Sequence, residues 1–147
     1  MGPTLAEAKA LIAAAQKVAA EIDKPITTVV VDSGGFIVPC ERMEGARPLT
    51  PSIATAKAYT AAIMQRPAKM LKTWCQTQPE FFAQVSRMGH HPIVATEGGV
   101  TLKREGVLLG GIGVSGGTGD EDQEICEKAL AATGYDIDFA EWNRVKK

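Results

Sequence analysis

The sequence of 147 residues lacks the features that would direct it to a membrane or to nucleic acid. No apolar run approaches the roughly 20 residues that span a bilayer, and the N-terminus lacks the basic start and apolar run of a secretory signal. Lysine and arginine total 16 against 17 aspartate and glutamate, so there is no positive charge excess to favour nucleic acid or anionic lipid. We therefore expect a cytoplasmic protein with neither of these partners.

Cysteine and histidine are also scarce. The three cysteines, Cys40, Cys75 and Cys126, are widely spaced and form no C-x-x-C pair, so neither a disulfide framework nor a zinc site is predicted. The only two histidines, His90 and His91, are adjacent. Neighbouring residues in an extended loop point in opposite directions, so we do not expect both to bind one metal ion. No metal site is expected.

The hydrophobic periodicity that is present predicts helices alternating with β-hairpins. Thr4 and Glu7 form a capping-box pattern before a helix that continues to Ile22. A strand at 26–32, a glycine turn and a second strand at 36–38 predict the first hairpin, followed by an irregular segment at 39–48. The remaining predicted elements are helices at 52–65, 67–74 and 79–87, a short strand at 93–95, a second hairpin, an acidic helix ending before Gly134, and a terminal helix beginning at Asp138–Trp142. Hairpins separated by helices favour an antiparallel sheet flanked by helices in one α/β (α+β) domain, residues 1–147.

A glycine-rich segment from Gly98 to Leu130 contains the second hairpin. Residues 111–116 match the G-x-G-x-x-G pattern of dinucleotide-binding loops. That loop connects a parallel strand to a helix, whereas this motif begins inside a predicted hairpin strand, and the acidic residues at 120–122 would repel a phosphate. We therefore interpret the segment as a hairpin and a capped helix, with glycines where the backbone packs closely or adopts a positive φ.

A lysine, two carboxylates and the histidines are candidates for acid–base chemistry. Lys57 lies on the apolar side of the second long helix, close to Tyr59. Either its ammonium reaches inwards, where it needs a partner or loses its proton and becomes a base or nucleophile, or it turns outwards from the helix flank. A second candidate is one histidine acting as base or ligand with one carboxylate, drawn from His90, His91, Glu97 and Asp120.

Three segments of the chain resemble the GlcG/HbpS-like family. They are the alanine-rich first helix leading into VVVDSGGFIV, the stretch RMEGARPLTPSIATAKAYTAA, and GGVTLKREGVLLGGIGVSGGTGDEDQEICEKAL. The resemblance implies a profilin-like domain, with an antiparallel sheet between helices, that assembles as a homo-oligomer from a dimer up to a tetramer or octamer. Members of the family are linked to haem or corrinoid-related binding, and others are encoded beside catabolic enzymes.

The sequence departs from the haem-binding pattern of this family in one respect. No histidine precedes His90, so a ligand for haem iron in the first helix is missing. Haem iron would need His90, His91, a methionine such as Met43, or a threonine oxygen. We therefore expect no cofactor, and we keep a haem- or tetrapyrrole-binding or sensing module as the alternative.

The first expectation for function is a catabolic protein that binds a small organic acid, a class that includes aromatic acids, in a pocket shared between subunits. Arg42 or Arg47 would pair with the substrate carboxylate, since a guanidinium matches it bidentately. Lyase or isomerase chemistry without a redox cofactor would use Lys57, Glu97 or a loop histidine. The other expected substrate-binding residues are Tyr59, Gly98, Gly99 and Asp120. A non-catalytic oligomeric accessory protein is a further alternative.

Overall fold

The computed structural model describes residues 1–137, which form an antiparallel sheet of four strands with helices on both faces. The strands are β1 (Thr27–Asp32), β2 (Ile37–Arg42), β3 (Gly99–Arg104) and β4 (Val107–Ser115), in the spatial order β2-β1-β4-β3. The helices are α1 (Leu5–Glu21), α2 (Thr50–Met64), α3 (Lys72–Thr77), α4 (Pro79–Val85) and α5 (Gly119–Thr133), with a 3₁₀ turn at Ala68–Leu71. The expected antiparallel α+β fold is confirmed. That residues 1–147 form one domain stays a prediction, and the terminal helix expected from Asp138–Trp142 lies outside the described residues.

The larger core lies between the sheet and helices α1 and α5. Both helices begin with a capping box, Thr4 with Glu7 and Thr118 with Glu121, which satisfies backbone donors at their first turns. Aliphatic side chains of both helices meet the strands on one face of the sheet, among them Leu11, Ile12, Val30, Ile112, Ile125 and Leu130. Among residues 1–137, no helix has the length and apolar character needed to cross a membrane. A cytoplasmic location stays a prediction.

Helix α2 covers the opposite face and approaches β4 through glycine. A Cβ on Gly113 would lie 2.7 Å from the Ala58 nitrogen and would overlap the carbonyl oxygen of Ala54. Gly111 meets the Ala58 carbonyl in the same way. Ala54 and Ala58 are four helical residues apart, which is about 6 Å, and Gly111 and Gly113 are two strand residues apart, which is about 6.7 Å. The two spacings therefore match. The helix backbone therefore lies directly on β4, one of the two inner strands of the sheet.

Two sequence predictions of strand extent are wrong. Strand β2 continues through Pro39 to Arg42, where an irregular segment was expected. Proline is tolerated because β2 is an edge strand and its register with β1 shifts at this point, so no ladder donor is lost. The strand predicted at 93–95 is absent. There the Ile93 nitrogen donates to the Ser86 carbonyl and the Val94 nitrogen to the Thr60 hydroxyl, so neither pairs with the sheet.

Candidate functional site

Three predicted site residues, His91, Arg47 and Lys57, line two concave places that share helix α2. The first, called here the β2–α2 cavity, has a volume of about 510 Å³ and is lined by Ile37, Cys40, Pro51, Ser52, Thr55, His91 and Pro92. The second, called the α2–α5 cleft, has a volume of about 300 Å³ and is lined by Arg47, Ile53, Lys57, Thr96, Ser115, Gly116, Gly117, Gly119 and Asp122. Both volumes fall in the range of small-molecule sites.

The two histidines lie together beside the β2–α2 cavity. The His90 ring stacks on Phe36 with centroids 4.7 Å apart, and its Nε2 lies 3.1 Å from the Gly35 carbonyl oxygen. Both imidazoles meet the Tyr59 ring edge to face, and their own centroids are 4.9 Å apart. The expectation that they point in opposite directions is therefore wrong. The chain bends at residues 88–91, so the alternation of an extended strand does not apply.

The cavity presents His91 as a neutral imidazole. Partial burial, and then the neighbouring His90, lower the pKa of His91 below its ordinary value. Burial, and then the charge of Glu41, raise the pKa of the Cys40 thiol on the same cavity, which keeps that sulfur protonated at neutral pH. A neutral imidazole with a free ring nitrogen is a ligand for iron, copper and zinc. Among residues 1–137, no three His, Cys, Asp or Glu side chains gather as a metal site.

The α2–α5 cleft is built around a buried ion pair. The Lys57 ammonium lies 2.9 Å from Asp122 Oδ2 and donates to the Val114 carbonyl oxygen, also at 2.9 Å. The side chains of Lys57 and Asp122 are only 6% and 4% exposed. Lys57 therefore reaches inwards, one of the two alternatives that the sequence left open. Asp122 was missed as its partner, although a buried lysine requires an anion and α5 begins with three acidic residues.

Small residues allow this pair to sit between the sheet and α5. A Cβ on Gly98 would lie 2.9 Å from Lys57 Nζ and 2.8 Å from the Cβ of Asp122. A Cβ on Gly99 would lie 2.9 Å from the carbonyl carbon of Lys57. Three predicted site residues, Lys57, Gly98 and Gly99, are thus brought together, and Arg47 lines the same cleft.

Glu97, Asp120 and Arg42 also line neither concave place. Glu97 is paired with Lys72, and the hydrogen bond from that ammonium is the main cause of a lowered pKa of the Glu97 carboxyl. A lowered pKa makes this carboxylate a weaker proton acceptor. Asp120 is exposed in the first turn of α5, and Arg42 is exposed at the end of β2. Glu97 is therefore engaged by Lys72, and neither Asp120 nor Arg42 lines the cleft that holds Lys57.

Comparison with known proteins identifies relatives over most of the chain. A family model described as "Haem degrading protein HbpS-like" matches residues 4–131. The corrinoid adenosyltransferase PduO of Citrobacter freundii is 34% identical over 132 residues, which cover 90% of this chain and 39% of PduO. Protein GlcG of Escherichia coli K12 is 31% identical over 108 residues, covering 74% of this chain and 77% of GlcG. The chain thus spans well under half of the PduO relative.

One solved structure bears directly on the cofactor. The crystal structure of a PduOC–haem complex matches with a TM-score of 0.83 and 28% identity, covering 92% of this chain and 98% of the other. The expectation of no cofactor is wrong, because this neighbour is a haem complex and the family model carries a haem-degrading description. With a model match over residues 4–131 and relatives above 30% identity, the chain belongs to the HbpS-like family that its motifs resemble.

Proposed function

We propose that this protein binds haem in the β2–α2 cavity, with His91 as the ligand to iron. The observation that carries the proposal is the His91 imidazole on the wall of a cavity of about 510 Å³. Ile37, Pro51 and Pro92 supply apolar surface for a macrocycle. The haem complex of the PduOC neighbour supports the same ligand class. When bound, haem supplies an iron centre capable of redox chemistry.

The donor set favours His91 over the other residues considered as ligands. The imidazole of His90 is stacked on Phe36 and its Nε2 is engaged with the Gly35 carbonyl. Met43 packs against the core on the α1 side of the sheet. The thiol of Cys40 shares the cavity but is kept protonated. His91 alone combines a place on the cavity wall with the neutral form that ligates iron.

Arg42 is suited to hold the propionates of haem. Cys40 and Arg42 pair with Val29 and Thr27 of β1, and those two residues face α2, so both side chains lie on the α2 side of β2. Two residues along a strand advance about 6.7 Å, which puts the guanidinium near one end of the cavity. Arg42 is exposed and has no ion-pair partner among residues 1–137. A guanidinium of this kind binds carboxylates bidentately.

Titration of the purified chain with haemin tests the proposal. We expect a shifted Soret band that saturates at a defined stoichiometry, and a loss of affinity of about tenfold or more in His91→Gly. Free imidazole added to His91→Gly should restore the band. The matched control is His90→Phe, which keeps the ring stacked on Phe36 and should bind haemin as the unaltered chain does. Equal binding by all three proteins, or absorbance that never saturates, would contradict the proposal.

The lowered pKa of His91 sets the expected pH dependence of haem binding. The proton competes with iron for the same imidazole, so affinity should fall on acidification, and at a lower pH than for a histidine with the ordinary pKa of about 6.5, because the pKa of His91 is lowered. Circular dichroism at each pH separates ligand loss from unfolding, because a depressed histidine pKa also makes the folded state less stable in acid. Affinity that rises on acidification would contradict this assignment.

The earlier expectation of small-acid binding with lyase chemistry receives narrower support. Arg47 and Lys57 share a cleft, but the histidines lie at the other cavity and the Glu97 carboxylate is held by Lys72, so no acid–base pair faces a substrate there. We therefore do not propose lyase or isomerase chemistry. The homo-oligomer remains a proposal, supported by exposed apolar side chains including Phe36, Leu49 and Ile63, and sedimentation of the full chain measures it.

A further inference from the structure

We propose that the α2–α5 cleft is a second ligand site, which takes a small carboxylate anion and is independent of haem. The site consists of Arg47, Lys57, Thr96, Ser115 and Asp122 around a volume of about 300 Å³. None of these residues lines the β2–α2 cavity. The proposal goes beyond haem binding and does not depend on it.

The Lys57 ammonium keeps one hydrogen-bond donor beyond those used by its two partners. Each carboxylate oxygen of Asp122 already accepts one hydrogen bond, Oδ1 from the Gly117 nitrogen and Oδ2 from Lys57, each at 2.9 Å. The Lys57 ammonium has three donors and uses two, on Asp122 and on the Val114 carbonyl. One N–H of Lys57 therefore has no acceptor within residues 1–137. A ligand that accepts hydrogen bonds complements this arrangement.

Ser115 is the observation that points most directly to a ligand. It is 5% exposed, it lines the cleft, and its hydroxyl has no hydrogen-bond partner in the described part of the chain. The hydroxyl oxygen is not one of the fully buried, unpartnered side-chain oxygens of residues 1–137, so it is open to the cleft, where water or a ligand can bind it. The strand register pairs Ser115 with Thr27, whose own hydroxyl faces α2 and bonds Thr50. Ser115 therefore faces the same side of the sheet, towards the cleft.

The charges favour an anion. The lining contains two cations, Arg47 and Lys57, against one anion, Asp122, while the Glu97 and Glu121 carboxylates at its glycine end are paired with Lys72 and Lys24. Arg47 is exposed and has no ion-pair partner among residues 1–137, which leaves its guanidinium available to form a bidentate pair. Ile53 adds apolar surface to the lining. A carboxylate with a short carbon chain uses all of these features, and the small volume excludes a large one.

Phosphate is a poorer match for this site. Glu97 approaches Gly119, and Asp120 and Glu121 follow in the first turn of α5, so a dianion would meet repulsion at the glycine end of the cleft. A singly charged carboxylate avoids most of that repulsion. Inorganic phosphate is therefore included in the test as the competing anion.

The test uses the haem-free full chain labelled with ¹⁵N and observed by amide NMR at constant ionic strength. Sodium acetate and sodium propionate are titrated separately from inorganic phosphate, with sodium chloride as the ionic control. We expect saturable shifts at the amides of Gly116, Gly117 and Gly119 with the carboxylates only. Arg47→Gln should weaken binding about tenfold or more, because it removes a charge-assisted bidentate pair. Ser115→Ala should weaken it several-fold.

The matched control is Arg87→Gln, which removes an exposed arginine that does not line the cleft and should leave the titration unchanged. His91→Gly should also bind the carboxylates normally, so failure of the haem proposal leaves this one standing. Absence of saturable shifts, tighter binding of phosphate than of the carboxylates, or equal losses in Arg47→Gln and Arg87→Gln would each overturn the proposal.

Discussion

Replacing Lys57 by methionine is expected to lower the free energy of unfolding by about 3–5 kcal/mol, because it leaves a buried carboxylate without its cation. Asp122 is 4% exposed and would keep only the Gly117 amide as a donor. For a domain of this size, the loss corresponds to a melting temperature lower by on the order of 10–20 °C. Chemical denaturation monitored by circular dichroism measures it.

Two further variants separate the buried charge from the lysine itself. Lys57→Met combined with Asp122→Asn removes both charges and keeps an acceptor for the Gly117 amide, so it should recover most of the lost stability. Lys128→Met breaks an exposed pair with Glu124, whose side chains are 60% and 63% exposed, and should change the stability by less than about 0.5 kcal/mol. A Lys57→Met chain as stable as Lys128→Met would show that leaving Asp122 without its cation does not destabilise the fold.

Gly113→Ala is expected to destabilise the fold by about 3 kcal/mol or more, since α2 must move away from the sheet. The added Cβ would meet main-chain atoms of Ala54 and Ala58, which cannot turn aside as a flexible side chain would. Moving the helix would open the cluster formed by Val29, Val31, Ala54, Ala58 and Ala62. Thermal unfolding of the variant measures the effect.

The atoms that an added Cβ on Gly113 would meet belong to the backbone of α2, and a second variant can test this. Ala54→Gly added to Gly113→Ala removes a side chain but leaves the carbonyl in place, so it should not restore stability. The control is Gly106→Asn in the turn between β3 and β4, where φ is +79° and no atom lies within 4 Å of an added Cβ. Asparagine tolerates that conformation, so a change of only about 0.5–1 kcal/mol is expected. Rescue by Ala54→Gly would contradict the backbone account.

Local sequence patterns predicted which helices and strands form. They did not predict where a strand ends when its end depends on tertiary contacts. The capping box at Thr4 and the β-branched run before Asp32 act within a few residues, and both elements form as expected. The extent of β2 depended on its position at the edge of the sheet, which makes Pro39 acceptable. A strand lies at the edge of a sheet because of how the other strands pair. The sequence of residues 37–42 alone therefore could not predict that β2 is an edge strand.

The sequence analysis named several residues of the candidate sites but did not predict which of them contact one another. Lys57, Gly98 and Gly99 are brought together, but the partner of Lys57 is Asp122, 65 residues further along the chain. His91 was selected by its chemistry, yet its pairing with the β2 wall of a cavity depends on how residues 88–91 bend over Tyr59. Contacts of this kind are set by packing, whereas a single sequence reports only residue type and spacing.

The close seating of α2 on Gly111 and Gly113 also bears on communication between the two proposed sites. Residues 51, 52 and 55 of this helix line one site, and residues 53 and 57 line the other. Coupling between two ligands requires an element that both can shift between alternative positions. A shift of α2 would break its close backbone packing at Gly111 and Gly113, so neither ligand should move the helix readily. We therefore expect α2 to border both sites without transmitting a change from one to the other. The coupling free energy between haem and carboxylate should be close to zero.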